Sequence, residues 1–139
     1  MTHALIQQLF DACHYPEVSL DTHAEFIARP GVNVLFFAGD PKKFRDTTDV
    51  AVVLPELDRA FDGRLQPGVV AKSAERELQL HYGFTAWPAL VFVREGGYLG
   101  AITGIQNWGE YLQEISELIV AEVKPLNTFK VPVVGACPG

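Results

Sequence analysis

The 139-residue sequence predicts a single α/β domain in which a mixed sheet is covered by helices on both faces. Two observations lead to this prediction. Segments with apolar residues at helical spacing alternate with short runs of β-forming residues, in the order αβαβαβαββα. One of these runs, residues 32–38, is almost continuously apolar, as expected of a strand that is covered on both faces. With 48% hydrophobic residues, a chain of this length can form one core but not two independent domains.

The N-terminal helix carries apolar residues on one face, and Cys13 is the last of them, which predicts a core position for this cysteine. Pro16 lies beyond the end of this helix, because proline is not accommodated in a helix interior. A short strand at residues 18–20 and a short helix at 22–28 come next, before the central strand. The apolar face of the first helix consists of Leu5, Ile6, Leu9, Phe10 and Cys13.

The central strand runs into a polar loop, and Thr48 or Asp49 is the predicted N-cap of the helix that follows. A strand at residues 65–71 is predicted next. Ser73 is expected to cap the fourth helix, and Gly83 to end it, because glycine adopts the left-handed conformation at little cost. Each strand of this half of the chain is therefore followed by a helix.

Two strands and a helix complete the predicted domain. The strands at residues 89–94 and 98–103 are separated by a glycine-rich turn, which predicts an antiparallel hairpin. Asn107 and Glu110 form a capping-box pattern at the start of the last helix. The predicted domain spans residues 1–124, and the proline- and glycine-rich residues 125–139 are expected to form an extended tail.

Charge and hydropathy exclude several classes of function. The net charge of -6 argues against binding to nucleic acid or to an anionic membrane surface, because both require clustered Lys and Arg. No apolar run approaches the roughly 20 residues that a membrane-spanning helix needs. The N-terminus has neither a basic region nor a continuous apolar region of the kind found in secretory signals, so a cytoplasmic location is expected. The oligomeric state is left open.

The metal-binding and redox-active residue types are sparse. Cys13 and Cys137 form neither a CxxC motif nor a metal-ligand spacing, and the four histidines share no such spacing on one predicted element. Cys137 lies in the tail and is interpreted as a terminal thiol rather than a catalytic one. No metal, no cofactor and no catalytic residue are predicted.

Residues 82–115, YGFTAWPALVFVREGGYLGAITGIQNWGEYLQEI, resemble the C-terminal half of thioredoxins. The shared features are Pro88 directly before a strand, a glycine hairpin, a strand that ends in glycine, and the last helix. The resemblance implies a three-layer thioredoxin-like fold, with Pro88 in the cis form beside the active-site loop. It also places the thioredoxin CxxC within residues 44–48. Residues 14–136 contain no cysteine, so dithiol exchange at this position is impossible and the chain is not expected to be an enzyme.

A closer resemblance, to the HyaE/HupG family of hydrogenase-expression accessory proteins, covers most of the chain. It is carried by AGDPKKFRDTTDVAVVLPELDRAF at residues 38–61, by FTAWPALVF at 84–92, and by the motifs Asp40-Pro41-Lys42 and Gly104-Ile105-x-x-Trp108. The resemblance implies a cytoplasmic chaperone that engages the twin-arginine signal peptide of the small subunit of an uptake [NiFe] hydrogenase before export. Two alternatives remain: a scaffold that contacts folded hydrogenase or another accessory protein, and a monothiol oxidoreductase that uses Cys13 or Cys137.

The edge at Pro88 is one candidate partner-binding surface. In thioredoxins the backbone just before the cis proline pairs with an extended substrate, so Ala86 and Trp87 are expected to offer main-chain hydrogen bonds. The alternative for Trp87 is an aromatic residue that packs in the core or against the loop. The loop after the central strand offers further candidates: Asp40, Pro41, Lys42, Asp46 and Asp49.

The last helix offers a second acidic candidate surface. Glu110, Glu114 and Glu117 recur at i, i+4 and i+7 on one helical face, with only distant basic residues in the sequence. Such a stripe suits two arginines, because carboxylates form charge-assisted hydrogen bonds with guanidinium groups. The alternative is a solvated helix face opposite the core.

Overall fold

The computed structural model of the protein describes residues 3–126, and over this range the order of elements is the predicted αβαβαβαββα. The helices and strands, in chain order, are α1 (Ala4–Asp11), β1 (Glu17–Val18), α2 (His23–Ile27), β2 (Val32–Phe37), α3 (Asp46–Ala60), β3 (Leu65–Val70), α4 (Lys72–Tyr82), β4 (Ala89–Arg94), β5 (Gly97–Thr103) and α5 (Trp108–Leu118).

The five strands form one mixed sheet in the order β1-β3-β2-β4-β5. Strands β1, β3 and β2 are parallel, while β4 and β5 run antiparallel to their neighbours. Every residue of β2 is buried, because it lies at the centre of the sheet between two layers of helices. Val34 and Phe36 pack on the face covered by α1, α3 and α5, and Leu35 and Phe37 pack on the face covered by α2 and α4. This is the predicted three-layer arrangement.

Several predicted element starts are wrong. Helix α2 begins at His23 rather than at residue 22, and strand β5 begins at Gly97 rather than at residue 98. Strand β1 begins at Glu17 rather than at residue 18, and ends at Val18. Helix α3 begins at Asp46, so neither Thr48 nor Asp49 is its N-cap. Helix α4 begins at Lys72, which places Ser73 inside its first turn, where the N–H of Ala74 donates to the backbone of Ala71 rather than to a side chain. Backbone contacts of the preceding loops decide these starts, and capping propensity does not record such contacts.

The capping box of α5 is confirmed. The N–H of Glu110 donates to Oδ1 of Asn107 at 2.9 Å, and Oε1 of Glu110 accepts from the N–H of Asn107 at 3.3 Å. The hairpin between β4 and β5 is also confirmed, with a tighter turn than predicted. Glu95 and Gly96 both have positive φ, at 48° and 89°, as a two-residue turn between twisted strands requires.

The segment after α5 returns along the edge of β5. The guanidinium of Arg94 donates to the carbonyl oxygens of Ile119 and Ala121, at 3.3 and 2.6 Å. The N–H of Lys124 donates to the carbonyl of Tyr98 at 2.7 Å, so the chain is attached to the sheet as far as this residue. The tail predicted for residues 125–139 lies, from residue 127 onward and with Cys137, outside the described residues. Within residues 3–126 no helix combines the length and the apolar character that crossing a bilayer requires.

The contact between α2 and α4 contains a half-buried histidine. Nε2 of His23 lies 2.6 Å from the hydroxyl of Tyr82, and the rings of His23 and His81 are 5.8 Å apart. Burial lowers the pKa of His23 below its ordinary value of 6.5, and the charge of His81 lowers it further. Protonation of His23 therefore favours the unfolded chain.

We expect the contribution of His23 to the free energy of unfolding to be retained above pH 6.5 and to be lost as the pH is lowered from there, because the unfolded state binds the proton more tightly. Urea unfolding at pH 7.5 and 5.5 measures this loss. A His23→Gln variant should lose less stability between the two pH values than the wild type, whereas His14→Gln, at an exposed position, should behave as the wild type. Equal losses in the wild type and His23→Gln would contradict the assignment.

Candidate functional site

The loop between β2 and α3 contains residues 44–48, where the resemblance to thioredoxins places the two cysteines of that family. The adjacent Trp87-Pro88 peptide bond is cis, as the resemblance implied. Gly39 begins the loop with φ of +73°, and a Cβ atom there would lie 2.9 Å from Cδ2 of Phe44 and 3.2 Å from Cε3 of Trp87. The loop therefore folds closely against the residue that precedes Pro88.

Two side-chain hydrogen bonds hold this loop to the domain, and a third shapes it from within. The buried hydroxyl of Thr47 donates to the carbonyl oxygen of Ala38 at 2.6 Å. The N–H of Gly39 donates to Oε2 of Glu75, on α4, at 3.0 Å. Within the loop, Oδ1 of Asp40 accepts from the N–H of Lys42 at 3.0 Å. One carboxylate oxygen of Asp40 thus shapes the turn of the loop itself.

Trp87 is half-buried and packs among aromatic rings. It stacks on Phe44 with the ring centroids 6.0 Å apart, and it makes edge contacts with Phe37 and Phe84 at 6.1 and 5.2 Å. Its side chain therefore supports the loop, which is the packing role given above as the alternative. Phe44 covers the ring at the place where a thioredoxin would expose a thiol.

The backbone beside Pro88 is open. Within the described residues neither Ala86 nor Trp87 makes a backbone hydrogen bond, and Ala86 is exposed. The carbonyl of Pro88 is occupied, because it accepts from the N–H of Gly104 at 2.7 Å. Residues 86 and 87 thus retain the donors and acceptors that an added strand would need.

The turn between β5 and α5 adds exposed apolar surface next to Pro88. Ile105 lies in this turn and is 37% exposed, and Trp108, the first residue of α5, is 45% exposed. In the sequence these two residues belong only to a family motif, and they were not predicted as part of the binding site. Their exposure, together with their place beside Pro88, makes them candidates for a contact surface, and this exposure depends on the tertiary structure rather than on the pattern of residues.

Two carboxylates, those of Asp46 and Glu114, act near this turn. Oδ2 of Asp46 lies 4.0 Å from the position that a Cβ atom would take at Gly104. Burial raises the pKa of the Tyr111 hydroxyl, which donates to the carbonyl of Gly104, and the charges of Asp46 and Glu114 raise it further. Carboxylates from α3 and α5 therefore meet near the turn that carries the exposed apolar residues.

The three glutamates of α5 are all exposed, but their surroundings differ. Glu110 is engaged in the capping box, and Oε2 of Glu117 accepts from Nε2 of Gln113 at 2.7 Å. Glu114 and Glu117 line a shallow groove of about 270 Å³ together with Lys124. A basic side chain, that of Lys124, therefore lies closer to the glutamates of α5 than the sequence indicated.

The predicted loop residues do not form one surface. Asp40, Pro41 and Lys42 line a cleft of about 350 Å³ on the side of the loop that faces α1 and α4. Asp46 lies beside Gly104, and Asp49 is exposed in the first turn of α3. Most of the candidate residues thus fall into the Pro88 edge, the cleft and the α5 stripe, while Asp46 and Asp49 belong to none of these three groups.

Cys13, the cysteine within the described residues, lines neither the cleft nor the groove at α5. Cys13 is half-buried and packs against the apolar cluster that α1, α3 and α5 form on their face of the sheet. Among residues 3–126, no three side chains of the metal-ligating types His, Cys, Asp and Glu are grouped as a metal site would require. The surface beside Pro88 thus offers main-chain groups, apolar side chains and carboxylates.

Comparisons with known proteins agree on one family. The sequence model described as Hydrogenase-1 expression protein HyaE matches residues 5–111. Hydrogenase expression/formation protein HoxO of Azotobacter vinelandii is 42% identical over 126 residues, which cover 91% of this chain and 84% of that protein. HupG of Rhizobium leguminosarum, which has the same description, is 36% identical over 127 residues, covering 88% of this chain and 85% of that protein.

A solved structure supports the fold. The crystal structure of a hydrogenase expression/formation protein HupG from Rhodopseudomonas palustris matches with a TM-score of 0.54 and 42% identity. The match covers 74% of this chain and 93% of that chain. The predicted thioredoxin-like α/β fold is confirmed.

Proposed function

Because the chain belongs to the HyaE family of hydrogenase expression proteins, we propose that it is a redox-inactive chaperone in [NiFe] uptake hydrogenase maturation. It binds the hydrogenase small subunit precursor through its twin-arginine signal peptide, in the cytoplasm, before export. The descriptions of its relatives as hydrogenase expression/formation proteins support the role in maturation. The identification of the ligand as the signal peptide is the more specific part of the proposal.

The open backbone at Ala86 and Trp87 is the observation that carries this proposal. An extended peptide can add to this edge as a further strand, with main-chain hydrogen bonds that need no cysteine. The exposed side chains of Ile105 and Trp108 lie within and directly after the turn that is bonded to Pro88, so they suit the apolar part of such a peptide. Binding here uses the thioredoxin substrate edge without thioredoxin chemistry.

The carboxylates near the edge suit the basic part of the same peptide. Asp46 and Glu114 lie close enough to Tyr111 for their charges to act on its hydroxyl, so two elements direct negative charge to this region. Guanidinium groups form bidentate hydrogen bonds with carboxylates, which fixes their orientation as well as adding affinity. A peptide with basic and apolar parts is therefore complementary to this side of the molecule.

Co-purification tests the partner. The small subunit precursor should be retained by the tagged protein, and the same subunit without its signal peptide should not. Equal retention of both forms would favour the alternative, a scaffold that contacts folded hydrogenase. Loss of hydrogenase maturation in a Cys13→Ser, Cys137→Ser variant would instead favour the monothiol oxidoreductase.

Two surface variants test the docking face. Trp108→Ala should weaken binding of a synthetic signal peptide about tenfold or more, as expected when an aromatic side chain that contributes strongly to an interface is truncated. Leu80→Ala is the control, because Leu80 is a more exposed apolar residue at 64% but lies on α4. Isothermal titration at low salt measures both affinities. Equal affinity of Trp108→Ala and the wild type would exclude this face.

Charge reversal addresses the acidic residues. Glu114→Lys with Glu117→Lys should weaken the same peptide at low salt more than at high salt, because exposed charges are screened. Glu110 is left unchanged in this variant, since it belongs to the cap of α5. Glu77→Lys, at an exposed position of α4, is the control for net charge. An unchanged affinity would remove the α5 stripe from the site.

A further inference from the structure

The cleft on the side of the loop that faces α1 and α4 has a location typical of ligand sites. It lies at the carboxyl ends of the parallel strands β2 and β3, whose following helices α3 and α4 leave toward opposite faces of the sheet. Ligands of open α/β sheets bind at such a point, because the diverging connections leave a crevice there. The volume of about 350 Å³ is within the range of ligand sites. We refer to it as the Glu75 cleft; its lining includes Ile6, Phe10, Asp40, Lys42, Val70 and Glu75.

Glu75 is a half-buried carboxylate in this cleft. Burial raises the pKa of its carboxyl group, although the N–H of Gly39 and the charge of Lys72 both lower it. Only Oε2 accepts a hydrogen bond within the described residues, from Gly39. A glutamine at position 75 could accept the same hydrogen bond from Gly39 without placing a charged group in the cleft. The hydrogen bond to the loop therefore does not explain why residue 75 is an acid.

We propose that the Glu75 cleft binds one basic side chain, arginine or lysine, of a peptide partner. The carboxylate of Glu75 pairs with the cationic group, and the aliphatic stem of the bound side chain packs on Ile6 and Phe10. The cleft offers three carboxylates, from Glu17, Asp40 and Glu75, against the ammonium groups of Lys42 and Lys72. A half-buried carboxylate disfavours an anionic ligand, because it would have to lie next to a poorly solvated like charge.

Charge complementarity favours a basic side chain as the occupant of the cleft. That this side chain belongs to a peptide rests on the proposed function. Gly39 lies between the cleft and the Pro88 edge and contacts residues of both. The N–H of Gly39 is bonded to Glu75, and the Cα of Gly39 faces the rings of Phe44 and Trp87. A peptide on the Pro88 edge therefore lies on the other side of the same loop.

A small probe tests the cleft without strand addition. The probe is Nα-acetyl-arginine amide, and its neutral counterpart is Nα-acetyl-citrulline amide, which lacks the charge but keeps the shape. Titration of the full chain, followed through the NMR signal of the Gly39 amide, should give saturable binding of the arginine probe. The citrulline probe should bind about tenfold more weakly or worse, because a charge-assisted hydrogen bond is roughly twice as strong as a neutral one. Equal affinity for both probes would overturn the proposal.

Two variants locate the effect. Glu75→Gln should lower the affinity for the arginine probe to that of the citrulline probe, while the loop stays folded because the glutamine still accepts from Gly39. Glu77→Gln, an exposed position of the same helix, should leave the affinity within about twofold, because an exposed charge is solvated and screened. Undiminished binding to a folded Glu75→Gln protein would exclude the cleft.

The failure of the cleft proposal can be distinguished from the failure of the proposed function. Trp108→Ala lies outside the cleft and should leave binding of the arginine probe unchanged, although it weakens the signal peptide. If the probe binds and the signal peptide does not, the cleft is retained and the Pro88 edge is rejected. If the signal peptide binds with equal affinity to Glu75→Gln and the wild type, and the probe does not bind, the cleft is rejected and the edge is retained.

Discussion

Replacing Gly39 by alanine should lower the free energy of unfolding by roughly 2–4 kcal/mol, the largest effect expected of any single methyl group in the loop. Two costs combine at this position. The backbone has φ of +73°, where a Cβ atom costs roughly 1–2 kcal/mol. The added methyl would also lie 2.9 Å from the ring of Phe44 and 3.2 Å from that of Trp87, so the stacked pair has to move.

Gly63→Ala is the matched control for the backbone cost alone. Gly63 has φ of +81°, and a Cβ atom there would meet nothing within 4 Å. Urea unfolding should therefore show a loss of about 1 kcal/mol for Gly63→Ala, and the remainder of the Gly39→Ala effect is assigned to the stacked rings. Repeating Gly39→Ala in a Phe44→Ala background should remove that remainder, as in a double-mutant cycle. Equal losses for Gly39→Ala and Gly63→Ala would show that the rings adjust freely.

Fluorescence adds a readout that stability does not give. In a Trp108→Phe background, Trp87 is the remaining tryptophan of the chain. If the alanine displaces Phe44, the ring of Trp87 should become exposed to water, and the emission of Trp87 should move to longer wavelength. The same background with Gly63→Ala should emit as its parent does.

The element order was predictable because the relevant signals are local. Helical spacing, the apolar run at residues 32–38 and the glycine hairpin each lie within one segment of the chain. The capping box of α5 was predictable for the same reason, since Asn107 and Glu110 are three residues apart. The caps of α3 and α4 were not predictable, because a hydroxyl that suits a cap can be used elsewhere. Thr47, next to one predicted cap, is bonded to Ala38 instead.

The candidate site was predictable only where a resemblance supplied the tertiary context. The cis form of Pro88 and the position of the missing cysteines came from the likeness to thioredoxins. Glu75 carried no such signal, because an acid in the first turn of a helix is common and its partner Gly39 lies 36 residues away. Ile105 and Trp108 were similarly inconspicuous, since exposure of an apolar residue at a turn is decided by the packing of α5 against the sheet.

Replacing Thr47 by valine should lower the free energy of unfolding by about 1–3 kcal/mol. Valine has nearly the shape of threonine, so the change removes a donor and leaves the volume almost intact. The hydroxyl of Thr47 donates to the carbonyl of Ala38 at 2.6 Å and is fully buried, so this carbonyl loses its side-chain donor. A buried acceptor that loses its donor costs more than the net contribution of an average hydrogen bond.

Thr47→Ser separates the hydroxyl from the methyl group. Serine keeps the donor to Ala38 and loses only the methyl, so its loss of stability should be smaller than that of valine. Thr48→Val is the positional control, because Thr48 makes no side-chain hydrogen bond within the described residues. If valine is tolerated at 47 as well as at 48, the loop does not depend on this bond.

The Thr47 result also bears on why this loop contains no cysteine. Residue 47 lies within the segment 44–48, where the resemblance places the two thiols of a thioredoxin, and those thiols must be accessible to react. Here Thr47 is fully buried and Phe44 is stacked on Trp87, so both side chains face the domain. A large loss for Thr47→Val, with the loss for serine remaining small, would mean that the loop is built to keep one shape beside the Pro88 edge. A fixed loop of this kind suits the binding of a partner, because a preformed surface loses less conformational entropy when the partner docks.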